Sequence, residues 1–255
     1  MKLRLRKEEM HIGALILVNA NHHVRKKNMK TIVPLTAENE GVRLEAKAAA
    51  TLTQLLRDIE HSDEIVPVSG YRSAEEQEAI YKGSAELYGK EFTRKFVALP
   101  GRSEHQTGLA IDLGENREDI DFICPQFPYT GICGRFRDRA PRYGFIERYT
   151  EGKESLTGIS PEPWHFRYVG YPHAEIIRDM GVCLEEYIEY VKGFRASSER
   201  LVFPHKGRRI EIFYVPAEEA ETYVTIPDNT PYQASGNNVD GFIVTVWGRT
   251  GQTHQ

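Results

Sequence analysis

The chain is short of cysteine and of long apolar runs, and it has no excess of positive charge. Its 255 residues hold three cysteines, Cys124, Cys133 and Cys183. This odd, sparse set offers no disulfide framework and fits a reducing compartment. Cys124 and Cys133 stand too far from other cysteines to suggest a structural zinc knuckle, and they read as small buried or semi-buried side chains. No stretch approaches the roughly 18 apolar residues that a membrane span needs. The nearest candidate is the amino terminus, where basic residues precede IGALILV at 12–18. That run is short, no small-residue cleavage site follows it, and Glu8, Glu9 and His11 flank it. It reads as a buried strand and not as a signal peptide, so a cytoplasmic location is the expectation. Lysine and arginine number 33 against 37 aspartates and glutamates, a net charge of −4, which gives no support to nucleic-acid binding. No internal repeat is evident.

What is present is the mix of a folded protein: 40% hydrophobic and 27% charged residues, at a length that allows one large domain, or one domain with a substantial appendage. GVRLEAKAAATLTQLLRDIEHSD, 41–63, is helix-like, with Leu44, Ala48, Leu52, Leu55, Leu56 and Ile59 recurring on one face. EIVPVSGYRS reads as a strand over 65–68 feeding a turn at Gly70. Ser73 then caps a helix, with Glu76 completing a capping box. LAIDL around Asp112 alternates as a strand, and residues 115–135 look irregular. FRDRAPRYGFIERY predicts a short helix and then a strand, WHFRYVG another strand, and the segment after Pro172 further helix to about Gly193. Residues 199–255 shift to β-branched and aromatic types in three or so strands.

Chemistry concentrates in two stretches. SEHQTGLAID, 103–112, carries His105 and Asp112, and PEPWHFRY, 161–168, carries Glu162 and His165. Two histidines and an aspartate form a ligand set that suits catalytic zinc, which takes three protein ligands and leaves a position for water. Glu162 is then a spare carboxylate able to accept a proton from that water. Residues three apart on a strand face opposite sides, so Glu162 and His165 converge only if the strand bends, and Pro163 makes a bend plausible. Against this, nine histidines make an accidental pair easy. His11, His22, His23, His61, His173, His205 and His254 read as surface or loop residues. No serine stands in a Ser-x-x-Lys arrangement, so a serine nucleophile is not indicated.

In these motifs the chain resembles the zinc D,D-peptidases of the VanX/VanY type, most of all the bifunctional VanXY dipeptidase/carboxypeptidases. SGYRS at 69–73 with Glu76 and Gln77, SEHQTGLAID at 103–112 and EPWHFRY at 162–168 match in order. LVN at 17–19 and YGFIERYTEGKESLTG at 143–158 also look like family elements. The resemblance covers roughly residues 12–190 and is specific, because each expected ligand lies in its own extended motif. It implies an α+β fold, a small antiparallel sheet flanked by helices of the Hedgehog/D,D-peptidase-like kind, with a C-terminal β-rich extension. The implied domains are 1–195, catalytic, and 196–255. His105, Asp112 and His165 are implied as ligands of one zinc ion per chain. Glu162 is implied as the base and later proton donor, and Arg72 as the group that binds the developing oxyanion.

Ser103 and Gln77 resemble positions that hold the terminal dipeptide, and Tyr71 and Trp164 either wall a methyl-sized pocket or pack the core. Gly108 is a candidate for close backbone approach near the metal. Ser69 and Asn19 are candidates to support the ligands, Ser69 reading equally as a turn hydroxyl. The implied reaction is hydrolysis of D-alanyl-D-alanine, as free dipeptide or at the end of peptidoglycan precursor peptides, a chemistry tied to vancomycin resistance. An L,D- or other cell-wall peptidase of the same family, and a non-catalytic module that binds peptidoglycan peptides, are the alternatives. For the C-terminal extension, capping of the cleft, contacts in a homodimer and binding of another partner stay open.

Overall fold

The structure is a computed structural model that describes residues 1–25, 31–36, 41–205 and 207–248. It divides into two compact units, Val18–Cys183, and Met1–Leu17 together with Leu184–Gln255. The expected linear boundary near 195 therefore misses a feature of the chain, because its first 17 residues belong with its last third. The cause is strand pairing across the whole sequence: β1 (Lys2–Arg6) lies antiparallel to the strand Glu221–Thr225, with Leu3 opposite Val224. The following run is not the expected strand. Ala14 to Val18 are buried but irregular. Gly13 adopts φ +126° where Ser235 approaches, and the amide of Leu15 donates to Ser235 Oγ at 2.9 Å instead of to a ladder.

In the unit 18–183, β2 (Ile32–Pro34) pairs with β3 (Arg43–Glu45), and α1 (Ala46–Arg57) follows directly. The helix predicted from 41 thus starts five residues later. Glu45 ends the strand and caps the helix, its carboxylate accepting the amides of Lys47 and Ala48 at 3.0 and 3.1 Å. Ala48, Ala49, Leu52 and Leu55 form the buried face. After α1 come β4 (Ile65–Ser69), α2 (Ala74–Leu87) and α3 (Lys90–Phe96). The Ser73/Glu76 capping box at the start of α2 forms as expected. Next are β5 (Ala110–Glu115), α4 (Gly131–Arg139), β6 (Phe145–Tyr149), the single turn α5 (Glu154–Thr157), β7 (Glu162–Tyr168) and α6 (His173–Met180). The four longer strands make one antiparallel sheet in the order β4-β5-β7-β6, with Phe166, Phe127 and Phe136 packed edge to face in the core.

The helix predicted from Pro172 to about Gly193 is two helices. Gly181, at φ +65°, ends α6, and α7 (Leu184–Val191) begins the other unit. There, β8 (Leu201–His205), β9 (Arg208–Pro216), β10 (Glu221–Thr225), β11 (Tyr232–Gly236) and β12 (Gly241–Trp247) are five strands where about three were expected. LVFPHKGRRIEIFYVPA folds back on itself as the β8–β9 hairpin, with His205 opposite Arg208. The sheet order is β11-β12-β9-β8, and Phe213, Val215, Phe242 and Val244 form its core with Leu5 and Val224. Among the described residues, no helix is long and apolar enough to cross a membrane.

Gly108 sits where a one-turn 3-10 helix, Glu104–Thr107, passes into β5, at φ +70°. A Cβ there would lie 2.8 Å from the backbone nitrogen of Glu45, whose amide donates to Gly108 O at 2.8 Å. The close approach expected at this glycine is therefore to β3. Gly108→Ala is expected to cost at least about 1 kcal/mol through the left-handed backbone alone. A thermal melt several degrees below the parent checks this, and an unchanged melting temperature would contradict it.

Candidate active site

The site is assembled on the two central strands of the four-stranded sheet. Asp112 of β5 lies directly opposite His165 of β7, so the two side chains share a face. On the other side of β5 the register slips by one between Pro67 and Ser69, which sets Ser69 opposite Asp112. His105 arrives from the 3-10 turn. Ligand atoms of His105, Asp112 and His165 all lie within 4.8 Å of one another, and all three residues are buried.

His105 Nδ1 is 2.7 Å from the carbonyl oxygen of Gly70. A carbonyl only accepts, so the ring proton resides on Nδ1 and Nε2 carries a lone pair. That Nε2 lies 3.1 Å from Asp112 Oδ2. Burial, and then the nearby Arg72 charge, push the His105 pKa down to about 4, so no second proton bridges the two acceptors at neutral pH. Two facing acceptors in a buried site call for a cation between them. His165 Nδ1 lies on the other flank of the same carboxylate, 2.9 Å from Asp112 Oδ1. Burial opposes charge on His165, but hydrogen bonds to Asp112 and Glu104 outweigh it and raise the ring to about 9. Burial likewise opposes charge on Asp112, and the two histidines reverse this, holding it far below the usual carboxylate range. A His/Asp/His set so arranged fits a divalent metal such as zinc, which would displace the proton from His165 on binding.

Glu162 reaches this group through the bend that its spacing demanded. Glu147 of β6 faces Phe166, but Tyr149 faces Glu162, four residues back along β7 where a regular ladder would step two. The bulge around Pro163 turns Glu162 and His165 to one side, and Glu162 Oε2 lies 3.7 Å from His165 Nδ1. Glu162 is 5% exposed. Burial raises its carboxyl to about 8, with Asp112 adding to the effect and His165 opposing it.

Arg72 closes the opposite wall. Its Nε donates to Ser69 Oγ at 2.8 Å, Nη1 to Gln77 Oε1 at 3.3 Å and Nη2 to Asp112 Oδ2 at 2.7 Å. The turn that delivers it requires Gly70, because a Cβ there would sit 2.3 Å from Arg43 O. Gln77 is buried with both ends of its amide engaged, the second donating to Ala98 O at 2.8 Å. Ser103 and Trp164 line the same cleft, with Ile80, Phe96 and Ile159 as apolar wall. The cleft encloses about 440 Å³, including the part open to solvent. Tyr71 does not join this lining, a departure from expectation. Its ring lies against the Arg43 guanidinium, 5.7 Å away. Asn19 Oδ1 accepts the amides of Asn21 and His22 in a surface loop.

Three residues that sequence reasoning missed adjoin this group, Glu104 on the cleft lining itself. Glu104 Oε1 accepts from Arg148 Nε and Arg167 Nη1, both at 2.8 Å, with all three side chains fully buried. Glu104 Oε2 faces His165 Nε2 at 3.6 Å. Burial disfavours charge on Glu104, yet the two guanidiniums keep its carboxyl well below the usual range. Their sequence signal was faint: Glu104 adjoins His105, but Arg148 and Arg167 stand in strands that also carry Glu147, Glu162 and His165. His173, read as a surface or loop histidine, is buried at the start of α6, and burial pushes it down to about 3. His254 lies outside the described residues.

A family model described as VanY, D-alanyl-D-alanine carboxypeptidase, matches residues 41–171. The chain is 41% identical over 182 residues to the bifunctional D-Ala-D-Ala dipeptidase and D-Ala-D-Ala carboxypeptidase VanXYC of Enterococcus gallinarum, covering 71% of this chain and 96% of that protein. Among solved structures, the vancomycin resistance D,D-dipeptidase VanXYg in complex with a D-Ala-D-Ala phosphinate analog superposes with a TM-score of 0.94 at 51% identity, covering 97% of this chain and 98% of the other. A mutant of the D,D-pentapeptidase VanY from the VanB-type resistance cassette, in complex with Zn(II), superposes with a TM-score of 0.57 at 30% identity, covering 69% and 98%.

Proposed function

Because this chain belongs to the VanY family of D-alanyl-D-alanine carboxypeptidases, we propose that its cleft hydrolyses D-alanyl-D-alanine, both as the free dipeptide and at the end of peptidoglycan precursor peptides. The observation that carries the proposal is the buried His105/Asp112/His165 group with Glu162 on one flank and Arg72 on the other. The unit 18–183 holds all of these residues and is the catalytic one.

His105, Asp112 and His165 would hold one zinc ion, which supplies Lewis acidity and an acidified water when bound. With the charge of a bound ion beside it, the raised Glu162 carboxyl would ionise; it takes the proton of the attacking water and gives it to the amine nitrogen of the departing D-alanine. Arg72, held rigidly by Ser69, Gln77 and Asp112, presents a permanent positive charge to the carbonyl oxygen as it becomes an oxyanion. Trp164, Phe96 and Ile80 offer an apolar wall to the alanine methyls, and the Ser103 hydroxyl on the same lining is a hydrogen-bonding group for the dipeptide. Gln77 acts through Arg72, since both ends of its amide are engaged.

Acting in the cytoplasm, such an enzyme would remove D-alanine from free dipeptide and from soluble precursors, and so deplete the D-alanyl-D-alanine ends that vancomycin binds. The test is a paired assay. The purified chain is expected to release D-alanine from the dipeptide and from a pentapeptide ending in it, with both activities lost on chelation and restored by zinc. Cleavage of only an L,D bond would move the chain to the neighbouring peptidase class. Peptide binding with no release would make it a binding module.

A further inference from the structure

We infer that Arg137 is a positioning residue for this reaction, holding the β7 bulge that brings Glu162 and His165 to one side of the strand. The inference rests on the reading of the cleft proposed above. A bulge leaves backbone groups without ladder partners, and Pro163, within it, has no amide to donate and no partner in the β6–β7 register. Its carbonyl still needs a donor. Arg137, on α4, supplies it: Nη2 donates to Pro163 O at 2.7 Å. The same guanidinium donates through Nε to Glu147 Oε2 at 2.5 Å, and Glu147 is the β6 residue beyond which the register shifts. One rigid plane of donors thus spans both strands across the irregularity.

The plane is itself fixed. Nη1 donates to Pro128 O at 3.0 Å and Nη2 to Phe127 O at 3.3 Å. The Tyr129 ring covers it, centroid 4.0 Å away, and the Tyr129 hydroxyl donates to Glu147 Oε1 at 2.7 Å. Arg137 does not line the cleft, so it acts through the backbone of Pro163, one residue from Glu162 and two from His165. A lysine ammonium is a single point of charge and cannot hold Pro163 and Glu147 in one plane.

The experiment compares the parent, Arg137→Ala and Arg137→Lys by steady-state D-alanine release and by the visible spectrum of the cobalt(II)-substituted protein, each with and without guanidinium at non-denaturing concentration. The Arg137 side chain is 15% exposed, so the slot left by alanine is open to that ion. Arg137→Ala is expected to lower kcat by roughly 10- to 100-fold with KM little changed, and to shift the cobalt bands. Added guanidinium should return both towards the parent, with Arg137→Lys intermediate and insensitive to it. Parent-like kcat and spectrum in Arg137→Ala would overturn the inference, and so would a loss that guanidinium does not restore. A parent chain that releases no D-alanine would count against the proposed function alone, because the guanidinium-dependent spectrum still decides the role of Arg137.

Discussion

Glu162→Gln is expected to remove D-alanine release by roughly 10²- to 10⁴-fold while the protein keeps its metal. The amide matches the carboxylate in shape and cannot take up the proton of a water. Glu162 flanks the ligand group without belonging to it, 3.7 Å from His165 Nδ1. Metal content and turnover should therefore part company, which His105→Ala or His165→Ala would not achieve. The measurement is kcat on the dipeptide beside the zinc-to-protein ratio of the same preparation. Parent-like turnover would remove Glu162 from the role of base, and loss of metal along with activity would make it a structural support of the ligands.

The second large effect is expected beside the ligand group. Glu104 is the carboxylate shared by Arg148 and Arg167, all three side chains fully buried. Removing one partner from a buried ionic group strands the remaining charges, at about 3–5 kcal/mol. Glu104→Leu should lower the unfolding free energy by that order, read from denaturant midpoints at an unchanged slope. Glu104→Gln keeps the shape and loses the charge. Because Glu104 Oε2 faces His165 Nε2, this milder variant should also weaken metal binding, by roughly 10- to 100-fold. Competition against a chelator measures it. A Glu104→Gln protein with parent affinity and parent stability would show that the carboxylate neither orients His165 nor holds the two arginines.

Much of the site was legible because its parts are local. SGYRS carries its own turn glycine, capping serine and arginine, and the capping box formed where the sequence put it. SEHQTGLAID carries a proposed ligand on each side of a turn. PEPWHFRY carries the proposed base and a proposed ligand at a spacing that a straight strand forbids, and Pro163 pointed to the bend. Glu104, Arg148 and Arg167 were not read, because an ion pair across 44 or 63 residues has no local pattern. Tyr71 was left between the pocket wall and the core for the opposite reason: it lies inside a motif, and only the path of the chain through Gly70 decides that Arg72 lines the cleft and Tyr71 does not. The irregular run at 14–18 has a strand's composition, and its partner, Ser235, lies more than two hundred residues away.

The sequence by itself therefore determined the residue types of the site, their order, and the sharp turns that present them, since these depend on neighbours a few positions apart. Tertiary structure alone decided which histidine nitrogen faces the ligand group, through the Gly70 carbonyl, and how far Glu162 stands from His165, through a two-residue slip between β6 and β7. It also decided that the first strand completes a sheet with the last third of the chain. Each of these is a distance between segments remote in sequence, set by strand register and by the need of buried polar groups to find partners.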